Sequence, residues 1–228
     1  YNPAGLDTLN RQEIQAMHNE YVTGVRQEWL AYAFPTRRFG TVGFGLDLFR
    51  VKPFDAFDTV DQKVGTVDAS DMAVLGSYAK GIGEGSKLSV GGTGKFIQSR
   101  LADFKASAVA ADLGLLYLYG FEGAFETRYR FGASVRNIGN DMKFISQSSP
   151  LPQSLNLGVS RDAPLPHPFE DQRLILVLET VLPRDDLPYV QTGVEIKIVR
   201  ELAIRVGYRS NQDAGLGVSA GLGFTSLN

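Results

Sequence analysis

The chain has 228 residues, a formal net charge of −2, 25 glycines, 10 prolines, two histidines and no cysteine. Without cysteine it has no disulfide framework, no thiolate zinc site and no thiol catalysis, and the near-neutral balance supplies no bulk attraction to nucleic acid or anionic lipid. Mean hydropathy is −0.09, and the longest apolar stretch, LGLLYLYGF at 113–121, is far shorter than the ~18 residues of a spanning helix. A helical membrane protein is thereby excluded. A membrane barrel is not, because alternating strands hide their apolar face from averaged scales.

Period-two alternation recurs along the chain and predicts about twelve strands. They fall near 12–22, 25–34, 40–51, 71–80, 87–99, 107–119, 126–137, 153–161, 172–182, 188–199, 201–209 and 215–224. Each is about ten residues long, as a tilted strand needs to cross a bilayer. In 40–50, Val42, Phe44, Leu46 and Leu48 oppose Thr41, Gly43, Gly45 and Asp47. SVGGTGKF (89–96) resembles a phosphate-binding loop, but Ser89 stands where the first glycine belongs and Phe96 where the hydroxyl belongs. Alternation continues through it, with Lys87, Ser89, Gly91, Thr93 and Lys95 on one face, so it reads as mid-strand. Ile97, Leu101, Phe104 and Ala108 also have helical spacing; strand, turn, strand is the expectation over 87–119.

Further on, Tyr129, Phe131, Ala133 and Val135 oppose Arg128, Arg130, Ser134 and Arg136. Val190, Val194, Ile196 and Ile198 oppose Gln191, Glu195 and Lys197; Leu202, Ile204, Val206 and Tyr208 oppose Arg205 and Arg209. Connections at 23–24, 35–39, 81–86 and 199–201 are short, whereas those at 52–70 and 138–152 are long and share one end by parity. Only 162–171 is longer than its parity predicts. Aromatics gather near strand ends (Trp29, Tyr32 and Phe34; Tyr117, Tyr119 and Phe121; Tyr189; Tyr208), as in an interfacial girdle. Glycines on the charged face fit a crowded lumen or a close backbone approach. The expected fold is all-β, an antiparallel transmembrane β-barrel.

YNPAGL at 1–6 resembles the Asn-Pro-Ala-Gly-Leu signature of FadL-like outer-membrane proteins. In that family the signature ends a segment that plugs the barrel. The stretches 77–117, RFGASVRNIG (130–139), SPLPQSLNLGVS (149–160), 193–210 and GLGVSAGLGF (215–224) are similar, in order, to the PorV/PorQ branch. The resemblance covers nearly the whole chain. It implies that residues 1–11 end the plug, with Asn2, Pro3, Ala4 and Gly5 as its motif, and that 12–228 form the barrel. It further implies a fourteen-stranded barrel of which about twelve strands are visible, with sequence expected before Tyr1 and two strands after Phe224. The chain closes on Ser226, Leu227 and Asn228 without the terminal aromatic strand that many such barrels carry.

No catalytic constellation is visible. His18 sits in a strand and His167 between prolines, far from any nucleophile context. Asp55, Asp58 and Asp61 are spaced by three, unlike the alternate ligands of a calcium loop; Asp185 and Asp186 read as an exposed turn. No cofactor, metal, nucleic-acid partner or enzymatic activity is expected. Lys95, Asp112, Arg128, Arg130, Arg136, Glu179, Glu195, Lys197 and Arg205 are expected to face the lumen, either as a self-neutralising network or as a surface for plug or solute.

From the resemblance, the expectation is a bacterial outer-membrane component of a type IX-like secretion and surface-attachment system. It would bind or shuttle cargo, with lipid and envelope proteins as partners, long loops as docking surface, and prolines at 150, 152, 164, 166 and 168 stiffening adjacent connections. The alternative is a FadL-like channel for hydrophobic small molecules, which the absence of an obvious inward apolar set disfavours. A soluble β-protein of a large assembly is the third reading.

Overall fold

A computed structural model of the chain describes residues 2–21, 24–36, 38–83, 87–121, 127–145, 147–165, 172–199, 202–211 and 215–224. Tyr1, Glu126, Pro166, His167, Pro168, Glu201 and the 226–228 end lie outside the described residues. A short 3₁₀ segment, Pro3–Thr8, precedes fourteen strands in the described residues. In chain order these are β1 (Glu13–Glu20), β2 (Val25–Thr36), β3 (Gly40–Phe57), β4 (Lys63–Ile82), β5 (Leu88–Leu101), β6 (Phe104–Phe121) and β7 (Thr127–Gly139). There follow β8 (Met142–Phe144), β9 (Gln147–Ser149), β10 (Ser154–Pro164), β11 (Arg173–Pro183), β12 (Tyr189–Val199), β13 (Leu202–Arg209) and β14 (Val218–Phe224).

Twelve of these form one antiparallel sheet in which every strand pairs with its sequence neighbour, except that β7 pairs with β10 across the small β8–β9 hairpin. β1 and β14 are its edges. Each of the twelve expected strands has its counterpart in the sheet. SVGGTGKF lies inside β5, and the turn at Ala102 separates β5 from β6, so the helical spacing of 97–108 is not used.

The two faces differ as the alternation predicts. Register carries one face across all strands through Trp29, Asp47, Ser77, Thr93, Asp112, Ser134, Asn156, Val181, Gln191, Arg209 and their alternates. This face is the buried one: Ser89, Thr93, Lys95, Asp112, Ser134 and Asn156 are all below a tenth exposed. On the other face Phe44 (61%), Val109 (60%), Leu113 (58%) and Leu222 (66%) are exposed. The sheet is inverted relative to a soluble sandwich, whose apolar face meets a second sheet.

Three expectations need correction. The 52–70 stretch is not a loop. β3 and β4 pair on through bulges at Val51/Phe54 and Ala56/Phe57 to a turn at 58–62. Beyond Val51 and Ala69 neither neighbouring strand accompanies them, so 52–68 projects as a two-stranded ribbon. The 138–152 connection contains the β8–β9 hairpin and packs back on β6, Met142 and Leu151 meeting Ala108 and Ala110. Finally, two of the girdle aromatics sit on the polar face. Trp29 covers Gly45, where an added Cβ would meet its ring at 2.8 Å, and Tyr189 lies under the Arg209 guanidinium at 4.0 Å. Tyr32, Phe34, Tyr117, Tyr119 and Tyr208 do lie on the apolar face.

Candidate functional site

The polar face of β3–β7 is built around the N-terminal segment. Pro3 takes the first helical position, where its missing N–H costs nothing. Asn2 caps the turn, its Oδ1 accepting from the Ala4 N–H at 3.0 Å. Its Nδ2 donates to the carbonyls of Leu115 (2.8 Å) and Ala133 (3.2 Å), tying the segment to β6 and β7 at once. The Asp7 carboxylate accepts from the Ser89 hydroxyl at 2.6 Å, which adds β5.

Close approach to the sheet depends on glycine. Gly91 and Gly114 are cross-strand partners. A Cβ on Gly91 would stand 2.5 Å from Ala4 N, and one on Gly114 would overlap Asn2 Oδ1 and reach Pro3 Cδ at 2.9 Å. Only a side-chain-free floor admits the Asn-Pro-Ala backbone here. Asn2, Pro3 and Ala4 thus act as a docked unit, while Gly5 touches nothing that a Cβ would disturb.

Further along the same face lies a buried ionic cluster. Lys95 Nζ pairs with Asp112 Oδ2 at 2.6 Å, both side chains 8% exposed. Lys95 also donates to Asn137 Oδ1 at 2.8 Å. The other Asp112 oxygen accepts from the Asn137 backbone N–H at 2.8 Å, and Asn137 Nδ2 donates to the Pro152 carbonyl at 2.8 Å. Asn137 adopts φ 57°, a left-handed conformation that asparagine tolerates. The cause is a bulge: between the pairs Ala111–Ile138 and Leu113–Val135, β7 carries one residue more than β6. Bulges re-aim side chains, and this one brings Asn137 into the cluster.

All nine predicted polar residues lie on this one face, but not in one network. Lys95 and Asp112 form the pair above. Arg130 and Arg173 flank Asp162, at 3.7 and 2.8 Å, and Arg128 stands opposite Asp162 in register. Asn156 donates to Glu179 at 2.9 Å. Glu195 meets Arg205 at 2.5 Å and Lys197 at 3.8 Å. Arg136 lies in the bulge beside Asn137. Asp162, Asn137 and Asn156 escaped the sequence reading. Asp162 alternates correctly with Ser160 and could have been found by parity; Asn137 could not, since the bulge shifts its parity.

Beside Glu195 and Arg205 is a shallow cleft of about 390 Å³, lined by Ile175, Val177, Gly193, Gly207, Ser219 and Gly221 among others. The remaining sequence candidates are dispersed. His18 faces Glu28 on an exposed part of β1, Nδ1 to Oε1 3.9 Å. Asp55 pairs with Lys63 at 2.7 Å, and Asp58 accepts the N–H groups of Val60 and Gln62 to close the ribbon's tip. Asp185 meets Arg184 at 3.3 Å, and Asp186 accepts from the Leu187 N–H.

No curated protein matches the chain. A model of a protein family described as uncharacterised matches residues 1–156, a span that holds the docked segment, the Lys95–Asp112–Asn137 cluster and Pro152. The chain belongs to that family, UPF0164.

Proposed function

We propose that the chain is an outer-membrane β-barrel that works without bond chemistry, as a binding, scaffold or cargo-shuttle component of a type IX-like secretion and surface-attachment system. One observation carries the membrane part: the apolar face is exposed on strand after strand, while the charged face is covered over β5–β7 by the chain's own segments. In water such a surface costs about 25 cal/mol per Å² of apolar area; hydrocarbon removes that cost. Strands of about 11 residues, as in β10–β12, rise roughly 36 Å and suffice to cross a bilayer at a tilt.

The scaffold part rests on the ordered resemblance to PorV/PorQ proteins and on the projecting ribbon 52–68. Phe54, Phe57, Val60 and Val64 are exposed on it, and a solvated hairpin gains nothing from them unless a partner covers them. The ribbon stands at the same end as the 140–153 connection, so one face of the molecule would meet cargo.

Two measurements test this. Heat-dependent gel mobility and retention in detergent-extracted outer membrane are expected; a freely soluble protein with neither would overturn the membrane reading. Mass spectrometry of what co-purifies after mild extraction tests the scaffold: a stoichiometric secreted or envelope protein is expected. A lone barrel carrying fatty acid or hydrocarbon would instead support the second reading, a channel for hydrophobic solutes. Ile175 and Val177 in the 390 Å³ cleft favour that reading more than the sequence did.

A further inference from the structure

We infer that residues 150–153 (Pro-Leu-Pro-Gln) are a movable strap over the inner face of β5 and β6, locked by Asn137 and by the ion pair beneath it. Leu151, 5% exposed, is the strap's anchor and rests on Ala108 and Ala110, beside Ile97. The row Ala106, Ala108, Ala110 is what leaves room for it: each side chain is a single methyl group, and each is below 5% exposed. The strap has no strand pairing of its own. Prolines at 150 and 152 remove two of its N–H donors; the Gln153 N–H turns back to the strap's own Leu151 carbonyl (2.8 Å), and the strap is tied outward by Asn137 Nδ2 to the Pro152 carbonyl (2.8 Å) and by the Arg184 N–H to the Gln153 carbonyl (2.9 Å).

Asn137 is the lock because its backbone N–H and both ends of its carboxamide are engaged at once. Its N–H goes to Asp112, its Oδ1 receives Lys95 and its Nδ2 reaches Pro152. When the strap leaves, Nδ2 exchanges this acceptor for water, and the Asn137 side chain is free to turn away from Lys95. Strap position and the orientation of the Lys95–Asp112 pair are therefore coupled. A buried pair is weak evidence of stabilisation for its own sake, and holding one arrangement is its best-attested use. With the strap out, the alanine row and Ile97 would form an aliphatic slot the size of a leucine side chain, open to whatever enters that end. The strap is thus a gate on the interior, an inference that rests on the barrel reading but not on the cargo reading.

The test uses the full chain in detergent and exploits its lack of cysteine. Ala108→Cys reports on the slot beneath the strap, and Ser89→Cys, under the N-terminal segment, reports on the rest of the face. Both are labelled with a small cationic thiosulfonate. Asn137→Gly keeps the left-handed backbone and the N–H to Asp112 but removes both side-chain bonds; labelling at position 108 is expected to rise about tenfold, with position 89 unchanged. Pro152→Ala keeps the carbonyl acceptor and is expected to leave the rate near that of the parent. An unchanged rate at 108 in Asn137→Gly would overturn the strap. So would an equal rise at 89, which would place the effect in the sheet as a whole.

Discussion

The polar face contains two glycine floors of similar design and different fate. In β5–β6, Gly91 opposes Gly114; in β12–β13, Gly193 opposes Gly207, with Gly221 on β14 alongside. Both floors lie next to a Lys/Arg–carboxylate pair. The first is covered by Asn2–Ala4, and the strap at 150–153 covers the pair beside it; Lys95 and Asp112 are 8% exposed there. Over the second, nothing among the described residues lies within 4 Å of a Cβ placed on Gly221, and Arg205 is 56% exposed. Burial of an ionic pair here is not a property of the strand that carries it. It is conferred by irregular segments that reach in from either end of the sheet, and glycine is the condition for their entry.

Changes that treat the two floors alike should therefore have unlike effects. Lys95→Met strands Asp112 without its partner and is expected to cost about 3–5 kcal/mol in denaturant unfolding. Arg205→Met removes a partner that is itself 56% exposed and leaves Lys197 3.8 Å from Glu195, and the same experiment should find roughly 0–1 kcal/mol. Equal losses would abolish the distinction.

On the glycines, Gly114→Ala forces Asn2 and Pro3 off the sheet, for about 1–3 kcal/mol and faster proteolysis of residues 2–8. Gly221→Ala, into open space, should stay within about 0.5 kcal/mol and leave proteolysis unchanged. Asn2→Ala sharpens the same contrast from the segment's side: two cross-strand bonds and a cap are lost, an expected cost of about 1–2 kcal/mol, with no change in labelling of a cysteine placed near Gly221. Smallest of all, Phe57→Ser on the projecting ribbon should alter stability by less than about 0.5 kcal/mol. Its effect should appear in partner recovery alone.

Much of this was readable in advance, and the failures have identifiable physical causes. Period-two alternation specifies both the strand and its faces, because a one-residue slip would turn Phe44 inward and Asp47 outward. That is why Val42–Leu48, Arg128–Arg136 and Leu202–Arg209 were assigned correctly. The ribbon was missed because one bulge resets the alternation within VKPFDAFD and a second adds Val64 to the partner strand, and Pro53 with three spaced aspartates mimics a loop. Trp29 and Tyr189 were placed by composition when their parity already put them with Asp47 and Gln191. Asn137 and Leu151 carry no signal at all in one dimension. Their roles arise where a bulge and a returning connection meet, and neither position is marked by its neighbours.

Asn2 has one more consequence, which concerns time. Its carboxamide binds carbonyls 113 and 131 residues later in the chain. The partners do not exist as a surface until β5, β6 and β7 have paired. Although the segment is near the start of this sequence, it can reach its place only after the middle of the sheet has formed, and closing a loop of that length adds entropic cost that local hairpins avoid. Docking of Asn2–Ala4 is accordingly a late event that reports on completed assembly. Protection of residues 2–8 from protease is expected to lag behind pairing of β5–β7, so that the segment works as a record of successful folding.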